Sequence, residues 1–280
     1  MKHFPEIRLP NGQLPDGALA DQWLRRQRRA ERDRWKHIRD PHTETVIRQA
    51  GFAIVTGQHA YATGDVSTTA TAALPANPTA GSVVCVAAFW YDGVNASTTA
   101  TAKDANNNNY TLSPNSPSSV NGTTTGASYV FYLLNAPANA DKTVTITWGL
   151  ISVAAEIWVV EFSVSGGTAA FDADNTGNGA SGTAINSPTI TVNGSGELLF
   201  CHAAPQNCVT AIGGAWTSPE TLSVTNCGGA GYILSASANT AVNMTQSASG
   251  SWDAMGMSFS FTASGGLIAP PGSLPLIGIQ

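Results

Sequence analysis

Beyond Arg48 the chain contains no arginine and only two lysines, Lys103 and Lys142. Such a body offers no guanidinium clamp for phosphate and no basic footprint for nucleic acid. Charge of either sign is scarce: 11% of residues are Asp, Glu, Lys or Arg, against the usual quarter. No run of eighteen consecutive apolar residues occurs, so no transmembrane helix is expected. The amino terminus, MKHFPEIRLPNGQ, lacks the apolar centre of a signal peptide. The four cysteines, Cys85, Cys201, Cys208 and Cys227, include no CxxC pair, which argues against a zinc site. GxSxG, P-loop and HExxH motifs are absent. The expectation is therefore a protein that is not an enzyme and carries no cofactor.

What is present is split in two. Eleven of the thirteen Lys and Arg residues precede position 49. With seven acids there, the first fifty residues sum to +4, whereas two lysines against eleven acids leave the rest at −9. The run Gly17 to Arg39 has helix-forming residues. Asp16 can cap it, and Asp40-Pro41 ends it, because a residue before proline avoids the α region. Leu19, Trp23, Ala30 and Ile38 make a narrow apolar stripe, with Trp35 beside it. A helix this thinly apolar gains its order from a partner. The expected docking residues are Leu19, Trp23 and Trp35 with Arg25, Arg28 and Arg32, since Trp and Arg dominate interface hot spots. A solvated face is the bland alternative. Nucleic acid is disfavoured, because Glu31, Asp33 and Asp40 dilute the basic run.

From Gly51 the pattern changes to short apolar runs separated by Gly, Asn, Ser and Pro. Met255, Met257, Phe259 and Phe261 alternate with small or hydroxyl residues, as in a strand with one buried face. The body also resembles itself. GSVVCVAAFW from Gly81 matches GELLFCHAAP from Gly196, Tyr129–Trp148 matches Tyr232–Trp252, and AEIWVVEFSV matches DAMGMSFSFT. Strands at this spacing without helical patterns predict a mainly β protein with two tandem antiparallel β-sandwiches. Jelly-roll topology is preferred, with an immunoglobulin-like one as the alternative. The expected division is a helical docking segment at 1–50, sandwiches at 51–165 and 166–264, and an extended apolar tail at 265–280. Leu267, Ile268, Leu274, Leu276 and Ile277 are the expected tail contacts with a neighbouring subunit, because Pro270, Pro271 and Pro275 bar a helix.

Candidate chemistry in the body is sparse. His202 lies in an apolar run and reads as a hydrogen-bonded core or edge histidine. Glu156 and Glu161 have opposite parity on one strand and so face opposite sides. Asp172 and Asp174 open an oxygen-rich run, Asp172–Gly179, that resembles a calcium loop but has Thr183 where the twelfth-position acid belongs. The alternative for that run is an ordinary turn. Cys208 and Cys227 flank a turn-rich span and are candidates to pair.

Gly81–Trp90, Tyr129–Trp148, Gly196–Ala204 and Tyr232–Phe261, behind a short docking segment, resemble accessory structural proteins of tailed bacteriophage virions. The resemblance implies a non-enzymatic tail, baseplate, fibre or capsid-decoration component. Such a component is assembled in the host cytoplasm into the virion, with other virion proteins and copies of itself as partners and no membrane. Two alternatives stand beside it. One is a carbohydrate-binding surface module that stacks glycans on Trp90, Tyr91, Tyr110 and Trp216. The other is a capsid subunit whose basic arm touches nucleic acid.

Overall fold

The computed structural model describes residues 50–264 apart from 65, 92–98, 120–125, 153 and 221–227. The expected N-terminal helix, its docking residues and the tail contacts all lie outside the described residues.

The described residues are mainly β, and every strand pairing is antiparallel. The first set of strands is β1 (Gly51–Gly64), β2 (Ser67–Ala73), β3 (Val83–Tyr91), β4 (Ala100–Asp104), β5 (Asn109–Leu112), β6 (Ser118–Ser119), β7 (Gly126–Leu133), β8 (Thr143–Ser152) and β9 (Ala154–Ser165). The second set is β10 (Gly167–Gly179), β11 (Ala184–Ile185), β12 (Thr189–Ile190), β13 (Glu197–Pro205), β14 (Val209–Ile212), β15 (Gly229–Ala236), β16 (Thr240–Ala241), β17 (Met244–Gln246) and β18 (Trp252–Ala263).

The first set forms one sheet in the order β1-β9-β3-β7-β5-β4-β8-β2, with β6 on β7. The sheet doubles over, so that its two ends share a core of Val84, Val86, Trp90, Tyr129, Phe131, Ile146, Trp148 and Ile157. The second set forms a sheet β10-β18-β13-β15, with small sheets β11-β17-β14 and β12-β16 against it. Strand for strand, β1-β9-β3-β7 and β10-β18-β13-β15 hold equivalent places in the two sets, the self-resemblance of the sequence expressed as topology.

These two four-strand arrays also pack on each other. Val83, Cys85, Trp158, Val160 and Phe162 of the first meet Leu198, Phe200, Tyr232, Met255, Met257 and Phe259 of the second in one shared core. A third core lies on the far side of the second array, around Leu199, Cys201, Val242, Met244 and Trp252. The central strands are thus covered on both faces, which is why β3, and β13 apart from Glu197 and His202, read as apolar runs without alternation. The same layering corrects the reading of β18. It was expected to bury one face, yet both are buried over most of its length. Its small residues meet a neighbour too: a Cβ on Gly256 would lie 2.1 Å from Ile190 Cδ1.

The outward face of β2, β8 and β4 carries mostly hydroxyls. Thr69 and Thr71 of β2 pair with Thr147 and Thr145 of β8, which also face Thr101 and Lys103 of β4. The hydroxyls of Thr71 and Thr145 lie 2.9 Å apart. Threonine suits an exposed strand and keeps it polar, so the low charge of the sequence has a local cause.

Candidate functional surfaces

The described chain begins at Ala50 and ends at Ser264, and these two residues meet at one corner of the body. Gly51 pairs with Ser165 at the end of β1 and β9. The chain then turns through Gly166, whose φ of 73° is a left-handed conformation that glycine adopts without strain. A Cβ there would stand 3.0 Å from that of Ala50, and the N–H of Ser264 donates to the Gly166 carbonyl at 2.9 Å. Ala50, Gly166 and Ser264 are therefore neighbours. The sequence set a boundary between two modules at Gly166 but gave no sign that Ala50 and Ser264 meet beside it.

The opposite end of the first strand set carries Val66, Tyr91, Leu150 and Ile151, which are the exposed large hydrophobics among the described residues. Strand pairing gathers them. Ser67 pairs with Ser152, Tyr91 pairs with Ala154, and the Trp90 indole donates to the Leu150 carbonyl at 3.3 Å. Ile151 is 58% exposed and Val66 70%.

Between the two arrays lies a buried polar group that the sequence did not predict. His202 of β13 and Asp253 of β18 share the inward face and are fully buried, with Ser128 of β7 across the layer. The His202 ring packs on Trp158 at 4.7 Å. Neither of its nitrogens has a hydrogen-bond partner, which corrects the expectation of a hydrogen-bonded histidine. Burial lowers its pKa to about 3, so the ring is neutral. Burial pushes the Asp253 carboxyl up to about 8, with partial opposition from Ser128. Neither Asp253 oxygen completes a hydrogen bond of ordinary geometry. Serine, histidine and aspartate are thus close in the fold, but no hydrogen bond links the ring to the other two. They do not form the nucleophile–base–orienter relay of a hydrolase.

Further polar contacts lie at the margins, and two of them tie the arrays. His59 Nδ1 and Glu220 Oε1 are 2.6 Å apart. The N–H of Gly228 donates to Glu156 at 2.9 Å. Burial pushes the Tyr61 phenol up, and the Glu156 carboxylate pushes it the same way. Glu161, on the other face of β9, accepts from Gln58 at 3.1 Å and from the Thr79 N–H at 2.7 Å. The two glutamates thus serve opposite faces, as their parity requires.

The calcium-loop reading of Asp172 and Asp174, and its alternative of a turn, are both corrected. Asp172–Gly179 is part of β10 and pairs with β18 throughout except at a bulge after Phe171. Asp174 accepts hydrogen bonds from Ser113 and from the N–H of Asn115, whereas Asp172 accepts from Asn193 at 2.9 Å. The two carboxylates are committed to different partners. Among the described residues no group of three or more His, Cys, Asp or Glu side chains gathers to hold a metal.

Of the four rings expected to stack on glycans, Trp90, Tyr110 and Trp216 are buried and only Tyr91 is exposed. The aromatic platform of the carbohydrate-binding alternative is therefore not assembled, because these rings fill cores instead. Cys85 and Cys201 are buried free thiols. Cys208 is disulfide-bonded, and Cys227 lies outside the described residues. Among the described residues no helix is long and apolar enough to cross a membrane.

No family model matches the chain, and no curated protein matches it by sequence. Among solved structures, the PBSX exported protein XepA is similar over 75% of this chain and 86% of its own. The identity is 10% and the TM-score 0.19, a likeness too slight to carry an argument about fold or function.

Proposed function

We propose that this protein is a non-enzymatic structural component of a virion, docked through its arginine-rich first fifty residues and displaying a rigid β body. The observation that carries the reading is the shared corner at Ala50, Gly166 and Ser264. A body tethered there presents its far end outward, whichever terminal segment holds it. Its double-faced central strands make it stiff, and its outward threonines keep it polar without charge. In fold terms the reading is of two jelly rolls in tandem. What supports it is the order β1-β9-β3-β7 facing β2-β8-β4-β5, as two facing four-stranded sheets of a jelly roll would require, and the similar order β10-β18-β13-β15 facing β11-β17-β14. Other virion proteins and further copies of this chain are the partners, and Trp23 and Trp35 carry the docking.

Purified particles from cells that produce this chain test the reading. The protein is expected in the particle fraction in many copies, and Trp23→Ala with Trp35→Ala is expected to remove it while Arg32→Ala leaves it. An aromatic ring buried at an interface contributes more than an exposed ion pair. Particles that band without the wild-type chain would overturn the virion assignment. Particles that retain the double variant would move the anchor elsewhere.

A further inference from the structure

The exposed apolar side chains of the body are not scattered. Val66, Tyr91, Leu150 and Ile151 stand together where β1 gives way to β2, β3 ends, and β8 gives way to β9. Single exposed aliphatics need no explanation, but a cluster at one end marks a contact. The chain also carries a matching segment. Residues 265–280 hold Leu267, Ile268, Leu274, Leu276, Ile277 and Ile279 and no charged side chain.

We propose that the tip formed by Val66, Tyr91, Leu150 and Ile151 receives the apolar carboxy-terminal segment, 265–280, of a second copy of this chain.

Placement selects the second copy over the chain's own tail. The segment leaves the body at Ser264, beside Ser165 and Gly166, whereas the tip lies beside Ala154, at the other end of β9. β9 has twelve residues, so these ends are about 37 Å apart at 3.3–3.4 Å per residue. A sixteen-residue, proline-interrupted segment reaches about 50 Å at ~3.1 Å per residue. Its own tip would thus be met only by the last few residues, with most of the length spent in crossing. A copy set end to end presents its tip next to the root, so that any of the segment's aliphatic side chains can reach it without crossing the body. The contact is then head-to-tail, joining two different patches, so successive copies add with the same polarity. The patch is small, so one contact is weak and gains from repetition. The inference does not depend on a virion setting.

The test is sedimentation of the full chain from about 1 µM to 1 mM. Three proteins are compared: the wild type, a chain ending at Ser264, and Leu150→Ser with Ile151→Ser. Both replaced side chains are exposed, so the fold is preserved, and circular dichroism checks this. The wild type is expected to gain mass with concentration. Each variant is expected to lose at least tenfold in self-association. A mixture of the two variants retains one intact tip and one intact tail per pair, and it is expected to form a one-to-one complex that grows no further. Three results would overturn the proposal: variants that associate like the wild type, a wild type whose mass does not rise, or variants that do not pair when mixed. A truncated chain that melts lower but matches the mass of the wild type at every concentration would assign the tail to its own body and also overturn it.

Discussion

Replacing Asp253 by Asn should remove a specific part of the protein's pH dependence. The carboxyl is fully buried, and its pKa moves from 3.8 to about 8. Over most of that interval the unfolded chain has lost the proton and the folded chain keeps it, so folding takes up a proton. Stability from this group is complete below pH 3.8 and is lost as pH rises toward 8, at about 1.36 kcal/mol per pH unit. His202 works with the opposite sign. Its folded pKa is lowered from 6.5 to about 3, so below pH 6.5 the unfolded ring binds a proton that the folded ring refuses. Between about pH 4 and 6.5 the two slopes cancel. Between pH 6.5 and 8 only Asp253 remains, and it costs about 2 kcal/mol across that window. Asn keeps the size and removes the titration. Urea unfolding followed by the fluorescence of the buried tryptophans, at pH 5, 6.5, 7.2 and 8, should show the stability of Asp253→Asn pulling ahead of wild type by about 2 kcal/mol between pH 6.5 and 8. Their difference should also widen by about 2 kcal/mol from pH 5 to 6.5, because the wild type is flat there while Asp253→Asn keeps the rising slope of His202 alone. Parallel curves above pH 6.5 would refute the assignment of a protonated, buried Asp253.

His202→Phe keeps a ring on Trp158 and deletes two unpartnered nitrogens. It should raise stability by about 1–3 kcal/mol at pH 7, and it should expose the Asp253 slope down to about pH 4. Gly256→Ala should destabilise by about 1–3 kcal/mol through collision with Ile190, and adding Ile190→Ala should recover part of that loss, as a double-mutant cycle would measure. A chain beginning at Gly51 should melt in one transition by calorimetry rather than two, because both strand sets own the core around Phe162, Phe200 and Met257. Two resolved transitions would mean that the shared core does not couple them.

Much of the strand content was legible because period-two alternation and glycine turns are local signals. The self-resemblance of Gly81–Trp90 and Gly196–Pro205 also predicted the equivalence of β3 and β13. The layering was not legible in the same way. An unbroken apolar run says that both faces are covered, but not by what, so the shared core between the two sets is visible only in the pairing. Asp172–Gly179 was misread because Asp, Asn and Gly are turn-formers by propensity. In place they are a long strand fixed by pairing with β18, a tertiary override of local preference. His202 was read as a core or edge residue, and it lies in the core. Its missing partners were invisible, since no sequence pattern reports where a hydrogen bond fails. The tip was unreadable because Leu150 and Ile151 look like interior residues until the end of β8 is located.

The meeting of Ala50, Gly166 and Ser264 has a mechanical consequence. A pull between the two terminal segments would not shear the layers along their length. It would enter at the Gly51–Ser165 and Gly167–Ala263 ends of two strand pairs and open their hydrogen bonds one after another, like a zip. A push against the far end would instead be shared across many parallel strand axes. The body would therefore yield softly to traction between its own ends and resist compression along its length.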